Sequence, residues 1–185
     1  MKVKDIIIRA LLFAGREDVV EAIDEDEYND EQFDALRTAL LCFNAVEDEL
    51  ARCYLPLKKT ENICSDSGEI EFARFSERPI KILSVTTPAG KCGFEVTPEK
   101  IKTRAGEVCI EYNYAPRPKD LDGESVYSET QASVVLIAAG TASEFSLIYG
   151  DAGAANEWEA RYRREIDSIQ RQKFSNAKIP PRRWV

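Results

Sequence analysis

The chain has 185 residues, with 33 Asp/Glu against 25 Lys/Arg, a net charge of −8 and no histidine. That length supports one substantial core, or one core with a small satellite. The acidity argues against the body as a nucleic-acid binder, since phosphate contacts need clustered Lys/Arg, and the missing histidine removes the commonest general base and metal ligand.

Asp5 and Arg9 interrupt the first apolar stretch, so no signal-peptide region is expected. Val3, Ile6, Ile7, Ala10, Leu11 and Ala14 recur at helical spacing, and Gly15 stands where a C-terminal cap belongs. The acid-rich stretch 16–32 follows and reads as a solvated connection with room for a short helical turn. A calcium loop starting at Asp24 would want an oxygen side chain fifth and glycine sixth, but Tyr28 and Asn29 stand there. From Asp30 the residues Phe33, Leu36, Leu40, Phe43, Val46, Leu50 and Tyr54 form one apolar stripe that ends at Pro56.

The periodicity then changes from 3.6 to 2. Glu69-Ile-Glu-Phe72 alternates, Ile80, Ile82 and Val85 follow Pro79, and Val108, Ile110, Tyr112 and Tyr114 share a strand face. Five or six short strands are expected over 57–116, in a small antiparallel sheet. Arg117–Val126 reads as a polar loop. Helix resumes at Ser128-Glu-Thr-Gln131, which has capping-box spacing. Its small residues Ala138, Ala139, Gly140, Ala142 and Ser143 mark it as the central helix, buried rather than membrane-spanning because Glu144 lies within it. Past Gly150 comes a last amphipathic helix with Trp158, Tyr162, Ile166 and Ile169 inward.

Little chemistry emerges. The five cysteines lack CxxC spacing and read as reduced, small buried hydrophobes. Glu69 and Glu71 fall on the polar face of a strand, and no phosphate loop or nucleophile elbow occurs. Asn44 and Glu144 are polar residues on apolar helices, for which a bonded structural role is the expectation. No catalytic, metal or cofactor site is assigned.

The end of the chain differs. Residues 161–185 carry eight Lys/Arg against two acids, while residues 1–160 carry seventeen against thirty-one. The last residues, Lys173-Phe-Ser-Asn-Ala-Lys-Ile-Pro-Pro-Arg-Arg-Trp-Val185, lack a periodic apolar face. Proline limits the unfolded ensemble, arginine seeks carboxylates and tryptophan fills pockets, so the segment reads as a docking arm. The residues assigned to docking are Phe174, Ile179, Pro180, Pro181, Arg182, Arg183 and Trp184. The fold class expected is α+β: a four-helix bundle (1–56 plus 127–172) with an inserted small antiparallel β domain (57–126) and an extended C-terminal arm (173–185).

Several stretches together resemble the head-to-tail connector, or adaptor, proteins of tailed bacteriophages, of the tail-tube protein A and short-tailed-phage adaptor kind. They are Val3-Lys-Asp-Ile-Ile-Ile-Arg-Ala-Leu-Leu-Phe-Ala-Gly15, Leu41-Cys-Phe-Asn-Ala-Val-Glu-Asp-Glu-Leu-Ala51, Tyr54-Leu-Pro-Leu57, Ile110-Glu-Tyr-Asn-Tyr-Ala-Pro116 and the Arg182-Arg-Trp-Val185 ending. The resemblance implies a homo-oligomeric ring, a dodecamer, at the virion neck, assembled in the host cytoplasm. It implies the portal protein, a downstream tail or stopper protein and further copies of itself as partners, with DNA passing through the lumen. It implies no membrane, cofactor or catalysis, and assigns the portal-gripping role to the arm. A monomeric binding or regulatory module, its basic arm engaging a protein or nucleic acid, remains the alternative.

Overall fold

A computed structural model describes residues 1–175. The chain divides into two compact units, one formed by Met1–Val46 with the segment from Lys119 onward, the other by Glu47–Pro118.

The first unit is helical. Helix α1 (Val3–Phe13) buries Val3, Ile6, Ile7, Ala10 and Leu11, and Gly15 takes a left-handed φ of 69° just beyond it. Helix α2 (Glu17–Glu25) follows directly, burying Val19, Ala22 and Ile23 and ending at Asp26 with φ 56°. Helix α3 (Asp30–Glu49) continues into a π-helical turn, Leu50–Tyr54, closed by an i→i+5 bond from Leu55 N–H to Leu50 C=O. Helix α4 (Val134–Ile148) and helix α5 (Ala152–Ser175) form a hairpin through Gly150.

The central position of α4 follows from its side-chain sizes. Ten of its residues, from Leu136 to Ser146, are buried on nearly every face. A Cβ at Gly140 would meet the Tyr162 ring and Val46 at 3.0 Å, so α5 and α3 approach closely there. Its hydroxyls are satisfied internally: Thr141 donates to Ile137 C=O, and Ser143 to Ala155 C=O on α5.

The second unit holds two antiparallel sheets. One has the order β1-β7-β3-β4, with β1 Leu57–Ser65, β3 Pro79–Thr87, β4 Gly90–Lys91 and β7 Gly106–Tyr114. The other has the order β2-β6-β5, with β2 Glu69–Glu71, β5 Glu95–Val96 and β6 Lys100–Lys102. In the β1–β7 register Ile63 faces Val108 and Leu57 faces Tyr114, and Tyr112 lies between Lys59 on β1 and Ile82 on β3. Period-two alternation, with a register shift between Ile82 and Ser84 that brings Val85 back to the side of Ile82, sends Ile63, Ile82, Val85, Val108, Ile110 and Tyr112 to one side, where they join Ile70, Phe75 and Ile101 in a core of their own. Gly68 is required where β1 turns toward β2, because a Cβ there would sit 2.3 Å from Thr103 C=O.

The four-helix bundle with a small β insert is thus corrected to an α+β fold with, among the described residues, five α-helices and two antiparallel sheets, of four and three strands. The added helix is α2, in the stretch expected to be a solvated connection. Acidic composition hid its apolar positions Val19, Ala22 and Ile23, which fall at i, i+3 and i+4. The start of α4 is corrected as well. Ser128 and Gln131 bond reciprocally, but as an isolated turn, and the helix is capped by Ser133, whose Oγ accepts from Leu136 N–H at 3.0 Å. Among the described residues no helix is long and apolar enough to cross a membrane.

Candidate functional site

The docking residues Ile179, Pro180, Pro181, Arg182, Arg183 and Trp184, and the side chain of Phe174, lie outside the described residues, while the backbone of α5 is helical through Ser175. The candidate site that the described residues offer is a set of bare apolar side chains on the helical unit.

They belong to α3 and the end of α4. Leu36, Phe43 and Val46 are buried, so the inner side of α3 is the one the stripe predicts. Phe33, expected in that stripe, is instead 56% exposed, and Leu41 is 63% exposed. At 100° per residue, Phe33, Arg37 and Leu41 occupy one outer arc, opposite the buried one. On α4, burial ends with Ser146, and Leu147, Ile148 and Tyr149 are 61%, 62% and 48% exposed.

Three observations relate α3 to α4 and its end. Val46 meets α4 at Gly140. Cys42 feels the charge of Glu144: burial first, and then that carboxylate, push its thiol up to about 11. Finally Arg16 bridges Glu31, at 3.5 Å, and the Tyr149 ring, at 5.8 Å from its centroid. Val46 lies on the side of α3 opposite Phe33 and Leu41, so the helical unit offers two exposed apolar groups, one on the outer arc of α3 and one at the end of α4. Exposed apolar residues occurring singly are ordinary, whereas a contiguous group marks an interaction site.

The adjoining end of the unit is closed by stacking. Phe13 lies on Trp158 at 4.1 Å between centroids, and Trp158 Nε1–H donates to Phe13 C=O at 2.9 Å. The Arg161 guanidinium covers both rings, at 5.4 and 5.7 Å. Tryptophan here is a structural cap for the start of α5.

Asn44 and Glu144 part company. Asn44 donates to Leu40 C=O and Lys119 C=O and accepts from Lys119 N–H at 2.7 Å, which fastens the segment after Lys119 to α3. Glu144, expected in apolar surroundings, is exposed on α4. The cysteines also depart from expectation: all are free, but only Cys42 is buried, and Cys53 and Cys64 are exposed. The polar sides of strands and turns, including Glu69 and Glu71, face solvent as their alternation requires.

The densest polar cluster lies in the second unit. Glu61 accepts from Ser76 Oγ and, at 2.6 Å, from Tyr112 OH, while Lys59 Nζ donates to Ser76 Oγ at 2.6 Å. Burial alone would raise the Glu61 carboxyl, but the bonds from Ser76 and Tyr112 outweigh it and hold it below its ordinary value. The same burial, with the bond to Glu61, pushes the Tyr112 phenol up to about 12. A serine beside a lysine invites a nucleophile–base reading. Yet Lys59 sits 3.5 Å from Glu61 and 3.9 Å from Glu77, so its Nζ is held between two carboxylates and serves the cluster as a hydrogen-bond donor. Arg117 completes the ring of charges, 3.0 Å from Glu77 and bonded to Ser76 C=O. The cluster ties β1, β7 and the Ser76–Glu77 turn together.

A groove of about 410 Å³ between α2 and the start of α3 is lined by Asp18, Glu21, Glu25, Glu27, Tyr28 and Gln32. Asp18 is committed to Arg16, with the hydrogen bond between them holding the carboxyl below its ordinary value. Among the described residues no group of three or more His, Cys, Asp or Glu could hold a metal ion.

Sequence reasoning missed the bare side chains because one apolar stripe was fitted to α3. The unbroken run Leu40-Leu41-Cys42-Phe43 covers more than one side of a helix, and Leu147-Ile148-Tyr149 ends its helix in the same manner. The sequence matches no family model and no curated protein.

Proposed function

We propose that this chain is a structural assembly protein, a head-to-tail adaptor that binds the portal of a tailed phage and joins capsid to tail. The observation that carries the reading is the group of exposed apolar side chains on the helical unit, Phe33 and Leu41 on α3 and Leu147, Ile148 and Tyr149 at the end of α4. Two further features support it. The connector-like stretches span nearly the whole sequence, and the cationic ending supplies anchor residue types to a chain that is otherwise acidic. Assembled copies would put acidic surface around a channel, and a lumen that repels DNA lets it slide without sticking.

In this reading Trp184 is the main anchor, Arg182 and Arg183 pair with carboxylates on the portal, and the exposed apolar side chains of α3 and α4 meet protein rather than solvent. The test is co-sedimentation of the full chain with the portal protein encoded in the same genome. Wild type co-sediments and Trp184→Ala, still folded, does not, because truncating a buried aromatic anchor costs about 2–4 kcal/mol. Wild-type affinity in the Trp184→Ala protein would remove the arm from the contact, and a genome without portal and major capsid genes would remove the reading.

A further inference from the structure

We infer that a groove on the sheet unit binds the proline-containing ending of this chain, Lys178–Trp184, as an extended segment. The inference concerns the protein before any partner is met and does not rest on the connector reading.

The groove encloses about 470 Å³, and its apolar lining is Phe72, Phe75, Pro79 and Pro98. Phe75 is buried and held edge-on to Tyr112 at 4.9 Å, and the Phe72 ring lies 6.3 Å from it, tilted by 42°. Ser76, also in the lining, is bonded to Lys59 and Glu61. The walls are therefore set before a ligand arrives, which lowers the ordering cost of binding. Aromatic-lined grooves take proline-rich segments because a polyproline II helix is already extended and loses little freedom on docking. Such a segment makes no internal hydrogen bonds, so its carbonyls need donors. Arg78 lines the groove and has no ion pair among the described residues, which leaves its guanidinium to donate.

The chain carries the matching segment. Pro180-Pro181 is its only proline pair, flanked by Lys178, Arg182 and Arg183, and no acid follows Asp167. The groove carries the opposite charge at one end. Glu71 precedes Phe72 and Glu99 follows Pro98, and Phe72 N–H donates to Glu99 C=O at 3.2 Å, which brings both carboxylates to the Phe72–Pro98 end. Both are exposed, and neither has an ion pair among the described residues. Arginines that follow a proline pair can reach them once the prolines lie on the rings. A nucleic acid would meet the same carboxylates as like charges.

The contact is tested by calorimetric titration of a peptide spanning residues 174–185 into the full chain carrying Pro180→Ser and Pro181→Ser, whose own ending then does not compete. The peptide should bind saturably, and the same peptide with both prolines replaced by serine should bind at least about tenfold more weakly. Phe72→Ala in the receiving chain should weaken binding by a similar factor. Glu71→Lys combined with Glu99→Lys, at exposed positions that leave the fold intact, should do the same and remove the salt dependence of the contact. No saturable binding, equal binding of the two peptides, or unchanged affinity in either the Phe72→Ala or the double glutamate variant would each overturn the inference.

Discussion

The two units treat their surfaces in opposite ways. In the sheet unit the side chains close on one another: Lys59, Glu61, Ser76, Glu77, Tyr112 and Arg117 form one bonded cluster, and Lys100 pairs with Glu69 at 2.6 Å. The helical unit spends its small residues on a tightly packed α4, yet leaves Leu12, Phe33, Leu41, Leu147, Ile148 and Tyr149 open. In the sheet unit only Phe94 and Val96 are large, apolar and exposed among the described residues. A unit that satisfies its own surface is built to be stable by itself. One that completes its core and still exposes apolar side chains is built to be covered.

Tyr112→Ala should give the largest loss in this comparison. The ring is fully buried, edge-on to Phe75 at 4.9 Å, and its hydroxyl bonds Glu61. Its removal should cost about 3–5 kcal/mol in denaturant unfolding, and a loss below about 1 kcal/mol would mean that the sheet core does not depend on it. Ala139→Leu should cost less, about 1–3 kcal/mol, because the helix has no space for the added atoms. An unchanged melting temperature there would contradict the packed-centre account of α4.

Acid should weaken the sheet unit before neutral pH changes anything. The folded pKa of Glu61 lies below its unfolded value, so its contribution is present above about pH 4.3, the ordinary glutamate value, and fades as pH falls through the lower folded pKa. Tyr112 has the opposite sign. Its contribution is full below about pH 10 and is lost as pH rises through about 12. Glu61→Gln should flatten the acid limb of a stability–pH curve and shift the alkaline limb to lower pH, since Glu61 helps burial to raise the Tyr112 phenol. An acid limb as steep as wild type would assign it to other carboxylates.

The smallest effect should come from the bare side chains of α3. Leu41→Ser and Phe33→Ser should each change stability by no more than about 0.5 kcal/mol, as exposed positions do. A loss of about 2 kcal/mol at either would place that side chain in the helical core and erase the contrast.

Much of this architecture was legible in the sequence, for identifiable reasons. Apolar spacing located α1, the inner side of α3 and the Val108–Tyr112 strand face, because burial on one side imposes a period that composition cannot hide. The small residues of α4 announced a crowded centre, as Gly140 against Tyr162 and Val46 makes plain. Three things were not legible. Helix α2 was masked by its acids, since three buried positions in nine residues give little signal. The bare side chains were masked by the rule that apolar residues point inward, which fails where a second surface is meant to cover them. Nor could sequence join Lys59, Ser76, Glu61 and Tyr112, because their meeting depends on the β1–β7 register.

Hydroxyl-radical footprinting of the full chain, alone and mixed with the portal protein of the proposed function, tests the central contrast most directly. The account predicts that oxidation of Phe33, Leu41, Leu147, Ile148 and Tyr149 falls together on association, while Phe94 and Val96 keep their reactivity. Protection of Phe94 and Val96 with unchanged α3 and α4 side chains would contradict it and move the assembly surface to the sheets.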